Sequence, residues 1–228
     1  MPVSPLDDAV GPVNVQIKAD GKVVDDAPLL SVDVEARANR IPRATVVYED
    51  GGAPAASEFP LTDAQTFKPG SAVTITAGYG DASPTTIFSG EVVGVHLRIS
   101  DANRIRLNVE CRHKALAMTH VRKSRIFVDK RDDEVMARLV SDAALAPTVT
   151  QTQPKWVQLA QNDATDWDFM LARAEANGLI VLATVDEQIH VETPDPGAAA
   201  TLKVAYGLDL VGFEGRSEER RVGKECAT

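Results

Sequence analysis

Between residues 13 and 111 apolar side chains recur at every second position, and a period of two suits only an extended strand with one buried face. Val13, Val15 and Ile17 alternate with Asn14 and Gln16. The pattern returns at residues 32–35, 44–48, 73–76, 87–99 and 104–111, so at least six short strands are expected. Between them stand turn formers: Asp20-Gly21, Asp50-Gly51-Gly52-Ala53-Pro54, Lys68-Pro69-Gly70, Gly78-Tyr79-Gly80-Asp81 and Ser100-Asp101-Ala102-Asn103. Gly21 tolerates the positive φ that a tight hairpin turn demands. Many short strands at this spacing predict a barrel or a sandwich. Gly90 and Gly94 interrupt the run from residue 88 to 95, where glycine weakens a strand unless a bend or a close backbone approach needs it. Corners of a small barrel are the expected reason.

After Cys111 the period lengthens. Asp132 is expected to cap a helix that carries Val135, Met136, Leu139, Val140 and Ala143 on one face, with Pro147 barring its continuation. Thr165 and Asp168 have capping-box form, and Trp167, Met170, Leu171 and Ala174 follow at i, i+3, i+4 and i+7. That stripe is expected to be buried against a strand at 179–183, with Asn177-Gly178 ending the helix. Residues 188–191 return as the second arm of a hairpin around Asp186-Glu187.

The fold expected is therefore mainly β with an α+β insert. Residues 1–12 form an N-terminal extension, 13–111 a small β-barrel, 112–195 an α+β domain, and 196–215 the start of a second β-barrel after the linker Pro194-Asp195-Pro196-Gly197. Strand-like segments at 202–206 and 208–213 flank Gly207. Residues 216–228 show no apolar periodicity. They resemble a sequence that recurs at the ends of unrelated proteins where adaptor DNA has been translated, a natural disordered tail being the alternative.

Composition narrows the function classes. With 24 Lys and Arg against 33 Asp and Glu the formal charge is −9, and both signs are spread along the chain, which argues against a binder that works by neutralising phosphates. Cys111 and Cys226 make neither a disulfide framework nor a zinc-ligand pair, so a reducing compartment is expected. Asp7 and Asp8 stand where a signal peptide needs a basic start, and no apolar run approaches the roughly 20 residues of a membrane helix. Cytoplasmic synthesis without membrane insertion follows, unless another machine exports the protein.

Few residues suggest chemistry. Cys111, His113 and His120 form the one cluster resembling metal ligands, but Cys-x-His is not a usual pair spacing; a strand-end cysteine and surface histidines are expected instead. No Gly-x-Ser-x-Gly or Ser-x-x-Lys motif marks a nucleophile. The pairs Asp7-Asp8, Asp25-Asp26 and Asp132-Asp133 fall at turns or a helix start, where carboxylates accept from backbone amides. Gly78-Tyr79-Gly80 lacks the ending of a phosphate loop. The basic run Arg112, Lys114, Arg122, Lys123, Arg125, Lys130 and Arg131, interrupted by Asp129, reads as a solvated face or a contact to an acidic neighbouring subunit. Trp167 reads as core. No catalytic, cofactor-binding or metal-binding residue is assigned.

Several segments carry a resemblance: residues 29–35 (LLSVDVE), Asn39-Arg40-Ile41-Pro42-Arg43-Ala44, Phe67-Lys68-Pro69-Gly70, Gly78-Tyr79-Gly80-Asp81, Phe88-Ser89-Gly90, and residues 162–179 (NDATDWDFMLARAEANGL). In this order they resemble VgrG proteins, especially the Rhs-element Vgr group, over about residues 13–215. The resemblance implies the hub of a spike in a contractile injection machine, whether a type VI secretion system, an extracellular injection particle or a phage tail. In that family each chain gives two small barrels to a homotrimeric ring, so that a threefold spike meets a hexameric tube protein. Spike or baseplate subunits and, in some cases, an effector cargo are the other partners. Assembly is cytoplasmic, with export on firing. The hub has no catalytic residues, so the resemblance implies no enzyme. With only the opening strands of a second barrel, this chain is expected to be monomeric or polydisperse where the intact family protein is a trimer. The competing readings are a tail-associated cell-wall hydrolase, which needs paired carboxylates across a cleft, and a carbohydrate-binding β module, which 5% aromatic content makes weak.

Overall fold

The structure is a computed structural model that describes residues 12–51, 59–80, 83–100, 104–199 and 203–206, together with 212 and 214. The expected extension at 1–12, apart from Pro12, and the tail at 216–228 fall outside the described residues, and so does half of the expected second barrel at 196–215.

Seven strands form the first unit: β1 (Val13–Ala19), β2 (Lys22–Val23), β3 (Leu29–Glu35), β4 (Arg43–Glu49), β5 (Ala72–Tyr79), β6 (Thr85–Ser100) and β7 (Arg104–Arg112). They lie in one antiparallel sheet in the order β2-β1-β5-β6-β7-β4-β3. The alternation read from the sequence sets the buried face: Ile17 and Ala19, Ala44, Val46 and Tyr48, Val73 and Ile75, and Leu107, Val109 and Cys111 all point into one core. Strands β1 and β4 lie on opposite flanks of the sheet yet share that core, so the sheet curls on itself. No ladder joins β2 to β3 among the described residues, and the barrel is an open one.

Each glycine of β6 has its own role. A Cβ on Gly90 would collide with the Arg112 carbonyl oxygen and come within 2.8 Å of the Phe88 ring, so this is a close backbone approach that only glycine permits. At Gly94 the nearest atoms are side chains at 3.7 Å or more. There the ladder to β7 slips between Val92 and Gly94, a bulge that sharpens the twist. The short helix α1 (Pro60–Asp63) adds Leu61 to the core, and Phe67 follows it. Buried Asp50 accepts from the Leu61 and Thr62 amides at 2.8 and 3.0 Å, satisfying donors at the start of α1 from outside the helix.

The second unit begins with a 3-10 turn (Lys114–Thr119) and continues through β8 (Arg122–Lys130), α2 (Asp132–Asp142), β9 (Ala146–Val149), β10 (Trp156–Thr165), α3 (Asp166–Ala176), β11 (Ile180–Ala183) and β12 (Gln188–Glu192). Strands β8 and β10 pair antiparallel; β11, β12 and β9 form a second sheet in that order, with β9 parallel to β12. The α3 stripe is placed as expected: Thr165 Oγ1 accepts from the Asp168 amide at 3.0 Å, and Trp167, Met170 and Ala174 are buried. Leu171 is only half-buried. Gly178, at φ +67, turns the chain into β11.

Two expectations need correction. Asp132 is the first residue inside α2 rather than its cap; Arg131 holds the cap position, its amide donating to Glu134 at 2.9 Å. Pro147 does not stop the helix, which has already ended at Ala143 and turned through Ala144 at φ 57; Pro147 lies within β9.

The two cores meet through the β3–β4 loop. Asn39 donates its amide to the Val181 carbonyl and accepts from the Val181 amide on its Oδ1, both at 2.8 Å, and Ile41 packs on the second core. His113 adds a bond to Thr184. Among the described residues no helix is long and apolar enough to cross a membrane.

Candidate functional site

Cys111 ends the buried row of β7, and burial pushes its thiol up to about 12, which disfavours the thiolate. His113 is not the surface residue expected: it is 1% exposed. Its Nδ1 accepts from the Ala115 amide and its Nε2 donates to the Thr184 carbonyl, both at 3.1 Å. Burial pushes this imidazole below its ordinary range, and both nitrogens are occupied. His120 is exposed. Among the described residues no group of three or more His, Cys, Asp or Glu is arranged to hold a metal.

The basic run divides among internal partners. Lys123 and Arg125 both reach Asp166, at 2.6 and 2.5 Å, and Gln161 donates to it at 2.9 Å. Arg125 also pairs with Asp142 at 3.0 Å, Arg131 with Asp133 at 2.9 Å and Lys114 with Glu187 at 2.5 Å. A second hub forms at Asp132, which takes Arg173 through both carboxylate oxygens, the Asn177 amide and the Trp156 indole N–H. Burial raises the carboxyls of Asp132 and Asp166, but the donors around them outweigh it and both are held below the ordinary carboxylate range. Asp133 bonds Thr152 and Arg131, so the Asp132-Asp133 pair is tied into structure rather than presented across a cleft.

These pairings turn β8 inside out. Lys123, Arg125 and Phe127 face the helices, while Ile126 and Val128 face outward, 61% exposed each. Ala160, exposed and opposite Ile126 on β10, extends that apolar surface, and exposed Gln158 stands opposite Val128. A strand that sends its cations to a buried carboxylate and its aliphatic side chains to solvent has the polarity of a subunit contact. Sequence reading misses this face because alternation alone does not say which side is in.

A second feature is concave. The β3–β4 loop, the end of β7 and the first turn of α3 enclose about 350 Å³, rimmed by Arg37, Arg40, Arg43 and Arg112 around Glu35, with Trp167 beneath.

The architecture is the one seen in tail and secretion-spike proteins. The fold matches the 43 kDa tail protein of prophage MuSo2 from Shewanella oneidensis with a TM-score of 0.62 over 79% of this chain, at 12% identity. It matches a tail protein from Neisseria meningitidis with a TM-score of 0.60 over 83%, at 13% identity. It also matches, with a TM-score of 0.58 over 81% and 12% identity, an E. coli protein described as a type VI secretion component similar to the phage T4 tail proteins gp27 and gp5. The chain spans about half the length of these proteins, 53%, 54% and 50% respectively. By sequence it belongs to the family described as the Alg8 N-terminal domain, whose match covers residues 9–225. No curated protein matches it.

Proposed function

We propose that the chain is the structural hub part of a spike in a contractile injection machine, working by assembly and not by catalysis. The observation that carries this reading is the order of the fold, an open seven-stranded barrel followed by an α+β unit, shared with tail proteins over about four-fifths of the chain. The apolar outer face of β8 and β10 adds a surface that a lone copy leaves in water.

On this reading residues 13–111 and 112–195 are separate domains, three copies form a ring, and the ring joins a threefold spike to a hexameric tube. Assembly takes place in the cytoplasm and firing exports the product, with an effector as an optional passenger. A hydrolytic reading needs two carboxylates facing a cleft, whereas Asp132 and Asp133 are engaged by Arg173, Arg131 and Thr152.

The experiment is light scattering coupled to gel filtration on the intact gene product that contains this chain, followed by binding to its cognate tube protein. A trimer that binds tube is expected, and Ile126→Glu with Val128→Glu should shift it toward monomer. A monomer indifferent to the tube protein would sink the hub reading.

A further inference from the structure

The arginine-rimmed groove gathers cationic charge that the ion pairs among the described residues leave partly unspent. Four guanidinium groups face one carboxylate. Glu35 is already shared by Arg37 and Arg43, each with Nε at 2.8 Å, and these cations hold it below the ordinary carboxylate range. Arg40 stands on the exposed loop. Arg112 is opposite Arg43 in the β4–β7 register, an arrangement of like charges that costs stability. On its other side, across β6, the facing residue is Glu91. Neither Arg40 nor Arg112 makes an ion pair among the described residues.

We propose that this groove binds an acidic polypeptide segment of a partner protein, whose carboxylates take the forks of Arg40 and Arg112 while aliphatic stems lie over Ile41 and the rim of Trp167. Arginine with tryptophan is the composition of interface hot spots. The guanidinium fork matches a carboxylate in two parallel bonds. A nucleic acid fits poorly: the whole chain carries −9, and Trp167, 5% exposed, offers no face on which a base can stack. The inference goes beyond the hub reading and stands or falls without it.

The test is fluorescence anisotropy of a labelled hexaglutamate peptide titrated with the full chain at low salt. Saturable binding is expected, with none for hexaglutamine. Arg40→Glu and Arg112→Glu should each weaken it by about tenfold or more, the loss of one charge-assisted bond. Lys130→Glu, on the exposed end of β8, should leave it unchanged. Should Arg112→Glu fail to fold by circular dichroism, Arg40→Glu and Arg40→Lys decide the matter, because that side chain stands on the surface. No binding by the unaltered chain, or equal binding by Arg40→Glu, overturns the proposal. So does tripolyphosphate binding the same arginines more tightly than the peptide, which would make the groove a phosphate site.

Discussion

Among the described residues of the seven-stranded unit the buried side chains are apolar or aromatic apart from Asp50, which serves the amides of α1 at its edge; in the unit that follows, Asp132 and Asp166 are buried at the starts of both long helices. The first unit is organised by strand ladders and non-directional burial, which tolerate substitutions that conserve volume. The second has two helices of eleven residues each and a strand pair, β8 with β10, whose inward positions include Lys123, Arg125 and Gln161, so directional bonds to two carboxylates help fix its arrangement. Damage should therefore differ in kind: loss of volume or of space in the first unit, loss of a charge in the second.

The largest effect is expected at Asp132→Ala, which leaves Arg173, Asn177 and Trp156 without their shared acceptor and should cost about 3–5 kcal/mol in urea unfolding. Trp167→Ala, an apolar truncation in the same core, should fall in a similar range of about 3–5 kcal/mol. A loss below about 1 kcal/mol at Asp132 would erase the distinction between the units. Gly90→Ala tests the first unit by adding a single methyl group against the Arg112 carbonyl, and a cost of about 1–3 kcal/mol is expected.

Acid should act on the junction before it acts on the second core. His113 is held below its ordinary 6.5 by burial, opposed only in part by the Thr184 carbonyl, so the unfolded chain takes up its proton first. Its contribution is whole above pH 6.5 and is lost as the pH falls from there through the folded value. For Asp132 and Asp166 the contribution is whole above the unfolded value of 3.8 and is lost as the pH falls through the lowered folded pKa. Urea midpoints across pH 2 to 7.5 should decline in two stages, the lower one below 3.8, and His113→Gln should remove only the upper one. A single stage in both proteins would refute the ordering. The smallest effect belongs to Tyr48→Phe. The Tyr48 hydroxyl is buried without a partner, so its removal should change stability by no more than about 0.5 kcal/mol, or raise it slightly.

The same contrast decides what the sequence discloses. Strands β1 and β3–β7 are legible because their inward positions are aliphatic or aromatic, and α3 because Thr165, its apolar stripe and Gly178 agree on one helix. Strands β8 and β10 escape because Lys123, Arg125 and Gln161 occupy inward positions that become tolerable only once Asp166, far along the chain, arrives beside them. Strand β9 escapes because four residues beginning Ala146-Pro147 carry no alternation. The groove is illegible for a different reason: its arginines come from residues 37–43 and 112, and its floor from residue 167. The loop motif from Asn39 to Ala44 is visible as a resemblance, but nothing in it names the strand end and the helix turn that complete the concavity.

The pair of bonds between Asn39 and Val181 has a bearing on how the chain stays out of trouble while it is being made. Strand β11 lies at the margin of its sheet, and an unpaired margin is a template on which other chains can add strands and aggregate. Asn39, at φ 61, occupies both the amide and the carbonyl of Val181 and so seals the middle of that margin with a loop that cannot continue the ladder. The seal comes from 142 residues upstream, in the part of the chain that leaves the ribosome first. A polypeptide that begins after residue 112 therefore carries its own sticky edge, while the full chain has the stopper in place before the edge is formed.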